Sequence, residues 1–324
     1  MPHEKTAGEP GLIANIPLFP VPPYDFALST RIFSTSDSVG RGAAEGRFWE
    51  VLRLKEGLAL SCVTAGGSTD SPILNVQFFG TTSMSPDAIS EARSQVEKIL
   101  NLSLDLAPFI GISEKEPFLH MLVRSLWGLK PPLTSTVFEA LVESIIEQQI
   151  SLIAAHRIQE QLIRLLGDVI RIGERIYYGF PTAERIARTT DEQLRGCGLS
   201  HNKASYISGI AREVQEGRNL ESLTSKNRAT EDIRAELCEI RGVGPWTAEL
   251  VLLRGIGRYE VFPADDLGLR KAISRYYRKG TPLTAQEARA LAERWGSWKG
   301  LAGFYMIMGE WMGIELSDSL YLPG

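Results

Sequence analysis

The stretch EIRGVGPWTAELVLLRG, residues 239–255, constrains the fold more than any other, because two apolar helix patterns meet in it at two glycines and a proline. The preceding EDIRAELCEI is amphipathic, and Pro245 suits the first turn of a second helix, where its missing N–H costs no hydrogen bond. We expect Gly242 and Gly244 to adopt positive φ and to let this helix-hairpin-helix, residues 231–255, approach another chain closely. Its outward N–H groups would then hold an anion such as a DNA phosphate. A plain corner between two helices has the same pattern and stays an alternative.

Two adjacent carboxylates follow the hairpin in VFPADDLGLRKAISRYY, residues 261–277. Asp265 and Asp266 lie after a proline-containing loop, at the start of a basic helix pattern. There the helix dipole favours an ionised carboxylate, which suits a group that stabilises positive charge or activates water. Asp266 is the candidate for that role. Alternatively, either aspartate only caps the helix.

The chain divides into two regions of different periodicity. We predict a loose tail over residues 1–19 and an α/β domain over 20–107, where segments such as VLRLKEGLALSCVTA and PILNVQFFG indicate strands. Residues 108–324 are predicted to form an α-helical domain. Its helices are expected at 114–126, 136–150, 151–167, 182–188, 191–196, 201–216, 231–239, 245–254, 265–277 and 284–295.

The composition excludes some classes of protein. Of the 324 residues, 44% are hydrophobic and 23% charged, which is ordinary for a globular protein, and no apolar run approaches the length of a membrane span. Cys62, Cys197 and Cys238 lack ligand spacing, so we expect neither disulfides nor an iron–sulfur or zinc site. The net charge is −4, but residues 241–279 hold eight basic residues against four acidic ones. Positive charge therefore clusters around the hairpin.

The two motifs in succession, LCEIRGVGPWTAELVLLRG and then VFPADDLGLRKA, resemble the signature of the helix-hairpin-helix-GPD superfamily of DNA glycosylases. FEALVESIIEQQISLIAAHRI resembles the DNA-facing helix and turn of that family. PPYDFALSTRIF resembles the N-terminal domain of the AlkA-type 3-methyladenine DNA glycosylases. The resemblance covers about residues 20–315 and implies an α+β fold. A TATA-binding-protein-like antiparallel α/β domain would precede a two-lobed all-α helix-hairpin-helix glycosylase domain.

The resemblance also implies roles for individual residues. Asp266 takes the place of the catalytic aspartate, and the main-chain carbonyls of Cys238, Ile240 and Val243 would hold a structural Na⁺ or K⁺. The residues expected to contact DNA lie in the hairpin and in the turn from which the family inserts a side chain beside an extruded base. They are Arg241, Gly242, Val243, Gly244, Trp246, Thr247, Gln148, Gln149 and Ser151. The aromatic residues expected to line the base pocket are Trp246, Tyr24, Phe26, Trp127, Tyr305 and Trp298.

One position separates two branches of this family. In bifunctional members, the residue two places after the second hairpin glycine is a lysine whose amine attacks the sugar C1′. Here it is Trp246. The resemblance therefore implies a monofunctional glycosylase that uses water, without lyase activity, a required cofactor or an iron–sulfur cluster. Leu250 and Ile307 stand where the AlkA pocket is aromatic, and Gln149 where the wedge is apolar, which leaves the lesion range open.

The implied function is base excision repair. A damaged nucleotide would be flipped from double-stranded DNA, and an alkylated purine of the 3-methyladenine or 7-methylguanine type would be released, leaving an abasic site. We expect a monomer of a bacterial or archaeal cytoplasm, associated with the nucleoid and not with a membrane. Three alternatives remain: a glycosylase for oxidised or deaminated bases on the same scaffold, a non-catalytic protein that binds DNA damage, and a helical structural protein with a chance motif.

Overall fold

The N-terminal domain is built on a five-stranded antiparallel sheet, in a computed structural model that describes residues 11–34, 40–80 and 83–315. Its strands are β1 (Gly11–Leu18), β2 (Gly42–Ala44), β3 (Arg47–Leu54), β4 (Gly57–Ser68) and β5 (Ser71–Gly80). They lie in the order β1-β5-β4-β3-β2. The sheet shares a core with two helices, α1 (Phe26–Thr30) and α2 (Pro86–Ile99).

Strand β5 shows why the sequence forms this sheet. Successive side chains of a strand point to opposite faces, and in β5 the apolar residues Leu74, Val76 and Phe78 alternate with exposed ones. The three are at most 1% exposed and belong to the same core as Val96 of α2. The alternation therefore decides which face of the sheet receives the helix.

Strand β1 corrects the predicted tail of residues 1–19. Residues 11–18 pair with β5, from Gly11 opposite Gly80 to Leu18 opposite Leu74. Only Leu18 in this strand is fully buried, because β1 is at the edge of the sheet. The strand therefore lacks the regular alternation of buried and exposed residues seen in β5. Residues 1–10 of the predicted tail lie outside the described residues.

The rest of the described chain is mainly helical and forms two lobes, each with its own core. The helices are α3 (Ala107–Ser113), α4 (Pro117–Ser125), α5 (Val137–Glu147), α6 (Leu152–Leu166), α7 (Ala183–Ala187), α8 (Asp191–Gly196), α9 (His201–Gln215), α10 (Thr230–Cys238), α11 (Pro245–Val251), α12 (Leu267–Arg278), α13 (Ala285–Ala292) and α14 (Lys299–Trp311). One lobe contains α5 to α11, and the other combines α3 and α4 with α12 to α14. The predicted α+β architecture with a two-lobed helical domain is confirmed. No helix in the described ranges is long and apolar enough to cross a membrane.

Two local features differ from the expected run of helices. The predicted helix over 114–126 begins at Pro117, and the separate helix α3 before it was not predicted. A β-hairpin of β6 (Val169–Ile172) and β7 (Arg175–Tyr178) interrupts the helical lobe. Its Ile170 packs against Val51 and Leu60 of the N-terminal sheet. The hairpin thus joins the helical lobe to the first domain.

A buried ion-pair network also joins the two domains. Arg41, just before β2, donates to both carboxylate oxygens of Glu50 on β3 at 2.8 Å, and to Glu139 on α5 at 3.0 Å. The exposed side-chain fractions are only 12% for Arg41, 7% for Glu50 and 6% for Glu139. Burial raises the pKa of Glu139, whereas the Arg41 guanidinium lowers it. Arg41 therefore compensates two carboxyl groups that are otherwise costly to bury.

Replacing Arg41 by alanine should lower the free energy of unfolding by about 3–5 kcal/mol, because Glu50 and Glu139 would stay buried without their cation. Arg53→Ala is the matched control. Arg53 also pairs with a carboxylate, Asp168, but is 44% exposed, so its loss should cost less than about 1 kcal/mol. Urea denaturation at neutral pH measures both. Equal, small losses of unfolding free energy in the two variants would contradict the conclusion that Arg41 compensates two buried carboxyl groups.

Candidate active site

The carboxylate of Asp266 is held by two hydrogen bonds at the start of α12. Its Oδ1 accepts the backbone N–H of Leu269 at 2.8 Å, which makes Asp266 the N-cap of the helix. Its Oδ2 accepts the indole N–H of Trp246 at 3.2 Å. Capping and exposure to a cavity are compatible here, since the half-buried Asp266 also lines the large cavity described below. Asp265, by contrast, is 60% exposed and faces Arg289 at 3.9 Å.

Trp246 lies in the first turn of α11, directly after the hairpin. Pro245 starts this helix, and Thr247 and Ala248 after it are buried. Because Thr247 and Ala248 fix the orientation of α11, the half-buried indole of Trp246 lies beside Asp266, which is 20 residues further along the chain. A hydrogen bond from a fixed N–H donor orients a carboxylate. Trp246 is thus a positioning residue for Asp266, a role that the sequence did not indicate.

The hairpin between α10 and α11 needs one of its glycines for conformation. Gly242 has φ +90°, and a Cβ there would overlap the ring of Tyr206. Gly244 differs from the prediction, since its φ is −94°, which any residue adopts. A Cβ at Gly244 would meet no atom of the protein within 4 Å. Gly242 is therefore required by the fold, whereas Gly244 leaves open space at the surface in front of α11.

The turn after α5 is tied to this hairpin. The side chain of Gln148 donates to the carbonyl of Gly242 at 2.9 Å and to the hydroxyl of Thr247 at 3.0 Å. Thr247 is 2% exposed. Both side chains therefore link two parts of the protein. Gln149, next in the chain, is exposed with φ +56°, and exposed Ser151 caps α6.

Two basic residues accompany the hairpin and the turn. Arg241 is exposed, and its guanidinium lies 5.6 Å from the ring centroid of Tyr206. Lys203, which no sequence motif indicated, donates to the carbonyls of Ile146 and Gln148 at 2.8 and 2.6 Å. Burial lowers the pKa of Lys203. Its ammonium group satisfies carbonyls at the end of α5 that have no helical N–H partner.

A cavity of about 1440 Å³ opens beside Asp266 and extends between the N-terminal domain and the two helical lobes. Near Asp266 its wall is largely apolar. Leu250 and Ile307, the two aliphatic substitutions noted in the sequence, both line it. The aromatic residues in the wall are Phe33, Phe138, Tyr178, Phe180, Tyr259, Phe304 and Trp311.

The aromatic residues predicted for the base pocket have other surroundings in the structure. In the described part of the chain, none of Trp246, Tyr24, Phe26, Trp127, Tyr305 and Trp298 lines this cavity. Tyr24 and Phe26 belong to the core under the sheet, and the hydroxyl of the buried Tyr305 donates to the carbonyl of Leu129 at 2.6 Å. Trp298 stacks on Tyr259 at 6.3 Å, and Trp127 donates its indole N–H to Asp70 at 3.0 Å. Large aromatic side chains are buried mainly for packing, so residue type alone did not identify the cavity wall.

A π-helical turn brings a cation into the cavity wall. After α11 the helix widens over Leu252–Ile256, and such turns often occur at functional sites. Gly255 allows this turn to lie against α5, because a Cβ there would come within 2.8 Å of Ala140. Arg254 then donates to both oxygens of Glu147 at 2.8 and 2.6 Å. Although burial favours the neutral guanidine, Glu147, Glu143 and Asp266 raise the pKa of Arg254. A fixed positive charge thus faces Asp266.

Known proteins resemble this chain in sequence and in fold. Residues 142–297 match the family described as HhH-GPD superfamily base excision DNA repair protein. The DNA-3-methyladenine glycosylase of Bacillus subtilis is 34% identical over 212 residues, which make up 65% of this chain and 69% of that protein. The 3-methyladenine DNA-glycosylase from Archaeoglobus fulgidus has a TM-score of 0.81 at 27% identity, over 92% of this chain and 99% of that one. A DNA complex of the Clostridium acetobutylicum 8-oxoguanine glycosylase/lyase shares the fold, with a TM-score of 0.71 at 19% identity over 90% of this chain and 94% of that one.

The sequence likeness and the structural likeness include the same elements. The family match contains the hairpin, the π-helical turn and Asp266, and the likeness to the Archaeoglobus fulgidus glycosylase includes most of the N-terminal domain as well. The resemblance inferred from the sequence is therefore confirmed. This chain belongs to the HhH-GPD superfamily of base excision DNA repair proteins and is a DNA glycosylase of that superfamily.

Proposed function

We propose that this protein is a monofunctional glycosylase that removes alkylated purines from double-stranded DNA. The observation that carries the proposal is the carboxylate of Asp266, which lines the cavity and is oriented by Leu269 and Trp246. Breaking the bond between base and sugar leaves the bonding electrons on the base and positive charge on C1′. An ionised carboxylate beside C1′ stabilises that charge while water adds and releases a proton.

The character of the cavity supports alkylated purines as substrates. A purine alkylated at N3 or N7 is a cation, so it departs as a neutral molecule without a general acid. Aromatic side chains of the wall such as Phe304 and Trp311 would attract the cationic ring, at ~0.5–2 kcal/mol per contact. The Bacillus subtilis and Archaeoglobus fulgidus relatives carry 3-methyladenine in their names. We expect this chain to act on the same class of base.

Water is the proposed nucleophile because the described residues hydrogen-bonded to the carboxylate of Asp266, which are Trp246 and Leu269, supply no amine. Trp246 occupies the position of the lysine in bifunctional relatives. Of the described residues that line the cavity, the only lysine is Lys98. Its ammonium group donates to the carbonyl of Ser135 at 2.9 Å and lies 3.9 Å from Glu221. The described residues of the cavity wall thus offer no free amine for a Schiff base, which supports water as the nucleophile.

The proposed DNA surface combines the hairpin with the turn at Gln149. The hairpin offers backbone N–H groups and Arg241 to phosphates. Beside Gln149 lies an apolar patch that the sequence analysis missed, since Leu152 is 58% exposed and Ile153 68% exposed. Both also line the cavity. We propose that Gln149 enters the space left by the flipped nucleotide and that these two residues contact the opened duplex.

A monovalent cation at the hairpin is compatible with the backbone. Helix α10 ends at Cys238, so its carbonyl lies among those without a helical N–H partner. The carbonyl of Ile240 accepts the N–H of Val243 at 3.0 Å and keeps a second lone pair. With the carbonyl of Val243, these groups would hold Na⁺ or K⁺, which would attract a phosphate. The proposed chemistry needs no other cofactor, and we propose that the protein acts as a monomer.

Replacing Asp266 by asparagine should reduce base release from alkylated duplex DNA by about 100-fold or more, because the charge beside C1′ is lost. Asparagine caps helices as well as aspartate does, so folding and DNA affinity should persist. Asp265→Asn removes an exposed carboxylate and should release bases normally. Chromatography of the released bases measures both variants. Full turnover by Asp266→Asn would refute the catalytic role.

Borohydride should trap no covalent adduct between this protein and damaged DNA, because Trp246 supplies no amine. A glycosylase/lyase of the same fold, trapped on its own substrate, is the positive control. The measurement is the fraction of protein shifted on a denaturing gel. A shifted band for this chain would show that another amine attacks C1′ and that the protein is bifunctional.

The two hairpin glycines should separate folding from DNA binding. Gly242→Ala should lower the free energy of unfolding by at least about 1–2 kcal/mol, the cost of positive φ, since it must also displace Tyr206. Gly244→Ala should leave stability unchanged but weaken binding to every duplex, because its methyl group would lie between the hairpin and a phosphate. Thermal melting and fluorescence anisotropy give the two readings. Normal DNA affinity in Gly244→Ala would argue against the hairpin as the contact surface.

A further inference from the structure

Helix α5 carries a row of three carboxyl groups along the cavity. Glu139, Glu143 and Glu147 are four residues apart, so they lie on the same side of the helix. All three line the cavity that also contains Asp266. This part of the cavity wall is therefore acidic, which is unusual for a surface expected to receive DNA.

The two outer members of the row are neutralised by arginines. Glu139 is paired with Arg41 at 3.0 Å, and Glu147 with Arg254 at 2.6 Å. Glu143 lies between them, and within the described ranges its carboxyl group makes no hydrogen bond or ion pair at usual distances. It is the member of the row whose oxygens are left for a molecule in the cavity.

The surroundings of Glu143 favour the neutral form of its carboxyl group. Burial, Glu139 and Glu147 together raise its pKa to about 8, although Arg41 and Arg254 act in the opposite direction. From α6, across the cavity, His156 and Glu160 line the same space. A neutral carboxyl group costs little to bury, but it can release its proton when a positive charge arrives beside it.

We propose that Glu143 is a specificity-determining residue, whose carboxyl group contacts the extruded base and favours bases that carry a positive charge. This inference rests on the proposed function. The geometry behind it is the open carboxyl group between two paired ones, in the cavity of Asp266. A cationic alkylated purine would shift Glu143 to its carboxylate form and gain a charge-assisted hydrogen bond. A neutral base would meet only an uncharged carboxyl group.

The test compares the wild-type protein with Glu143→Gln, which keeps shape and hydrogen-bonding capacity but cannot become negative. The cationic substrate is methylated duplex DNA, with release of 3-methyladenine measured in single turnover. The neutral substrate is duplex DNA that contains hypoxanthine, and its release is measured in the same way. If the wild-type protein does not release hypoxanthine, affinity for lesion-free duplex DNA replaces this measurement. Glu114→Gln, which changes an exposed glutamate outside the cavity, is the matched control.

We expect Glu143→Gln to release 3-methyladenine at about a tenth of the wild-type rate or less, the size of a lost hydrogen bond to a charged group. The neutral reading and the Glu114→Gln control should stay at wild-type levels. An unchanged rate on 3-methyladenine, or equal losses in both readings, would overturn the inference. If the wild-type protein itself releases no alkylated base, the proposed function is wrong. If the wild type releases 3-methyladenine but Glu143→Gln does so equally well, only the inference about Glu143 is wrong.

Stability against pH gives a second reading that does not depend on activity. Because the pKa of Glu143 is raised on folding, the folded state keeps a proton that the unfolded state has lost. The stability of the wild type relative to Glu143→Gln should therefore fall from about pH 5 to about pH 8 and change little above that. A constant difference across this range would show that Glu143 is already ionised in the free protein and would overturn the inference. If the glutamine variant does not fold, Glu143→Asp keeps the acid but withdraws it, and an undiminished rate for that variant would likewise overturn it.

Discussion

The burial of helix α5 is the constraint on which the site depends. Seven of its residues, from Val137 to Ile146, are completely inaccessible, and the helix lies between the hairpin, the π-helical turn and the N-terminal domain. Polar groups on such a helix are costly to bury without a partner. Arg41 and Arg254 therefore pair with its glutamates, Lys203 binds its last carbonyls, and Gln148 reaches the hairpin. These partners bring the three parts of the protein together around one cavity.

The same packing explains how a helix cap is also held in the wall of the cavity. Asp266 satisfies the first turn of α12 with one oxygen, and the indole of Trp246 holds the other. A carboxylate fixed in this way cannot rotate toward solvent, so it keeps its orientation when a substrate enters. Trp246 thus has a positive role besides the absence of a lysine. It connects the element proposed to bind phosphates with the carboxylate proposed to act on the sugar.

Particular residues show where sequence reasoning succeeded and where it stopped. The hairpin, Pro245 at the start of α11 and Asp266 at the start of α12 follow from local rules for glycine, proline and capping residues, and the structure has them there. The aromatic wall of the cavity did not follow, because residue type does not tell core residues such as Tyr24 and Tyr305 from wall residues such as Phe304 and Trp311. Only their neighbours in the fold do. Strand β1 was missed for a related reason, since its partner β5 lies about 60 residues further along the chain.

The sequence by itself determined the family, the order of the helices, the hairpin and the position of the aspartate, because these depend on residues close together in the chain. Only the tertiary structure decided which side chains share the cavity with Asp266. Arg41, Glu143 and Arg254 come from three separate elements. Their charges interact strongly only when burial removes the water around them. The spacing of the three glutamates on α5 is visible in the sequence. That the middle one is left without a cation depends on the packing of the π-helical turn and the N-terminal domain against that helix.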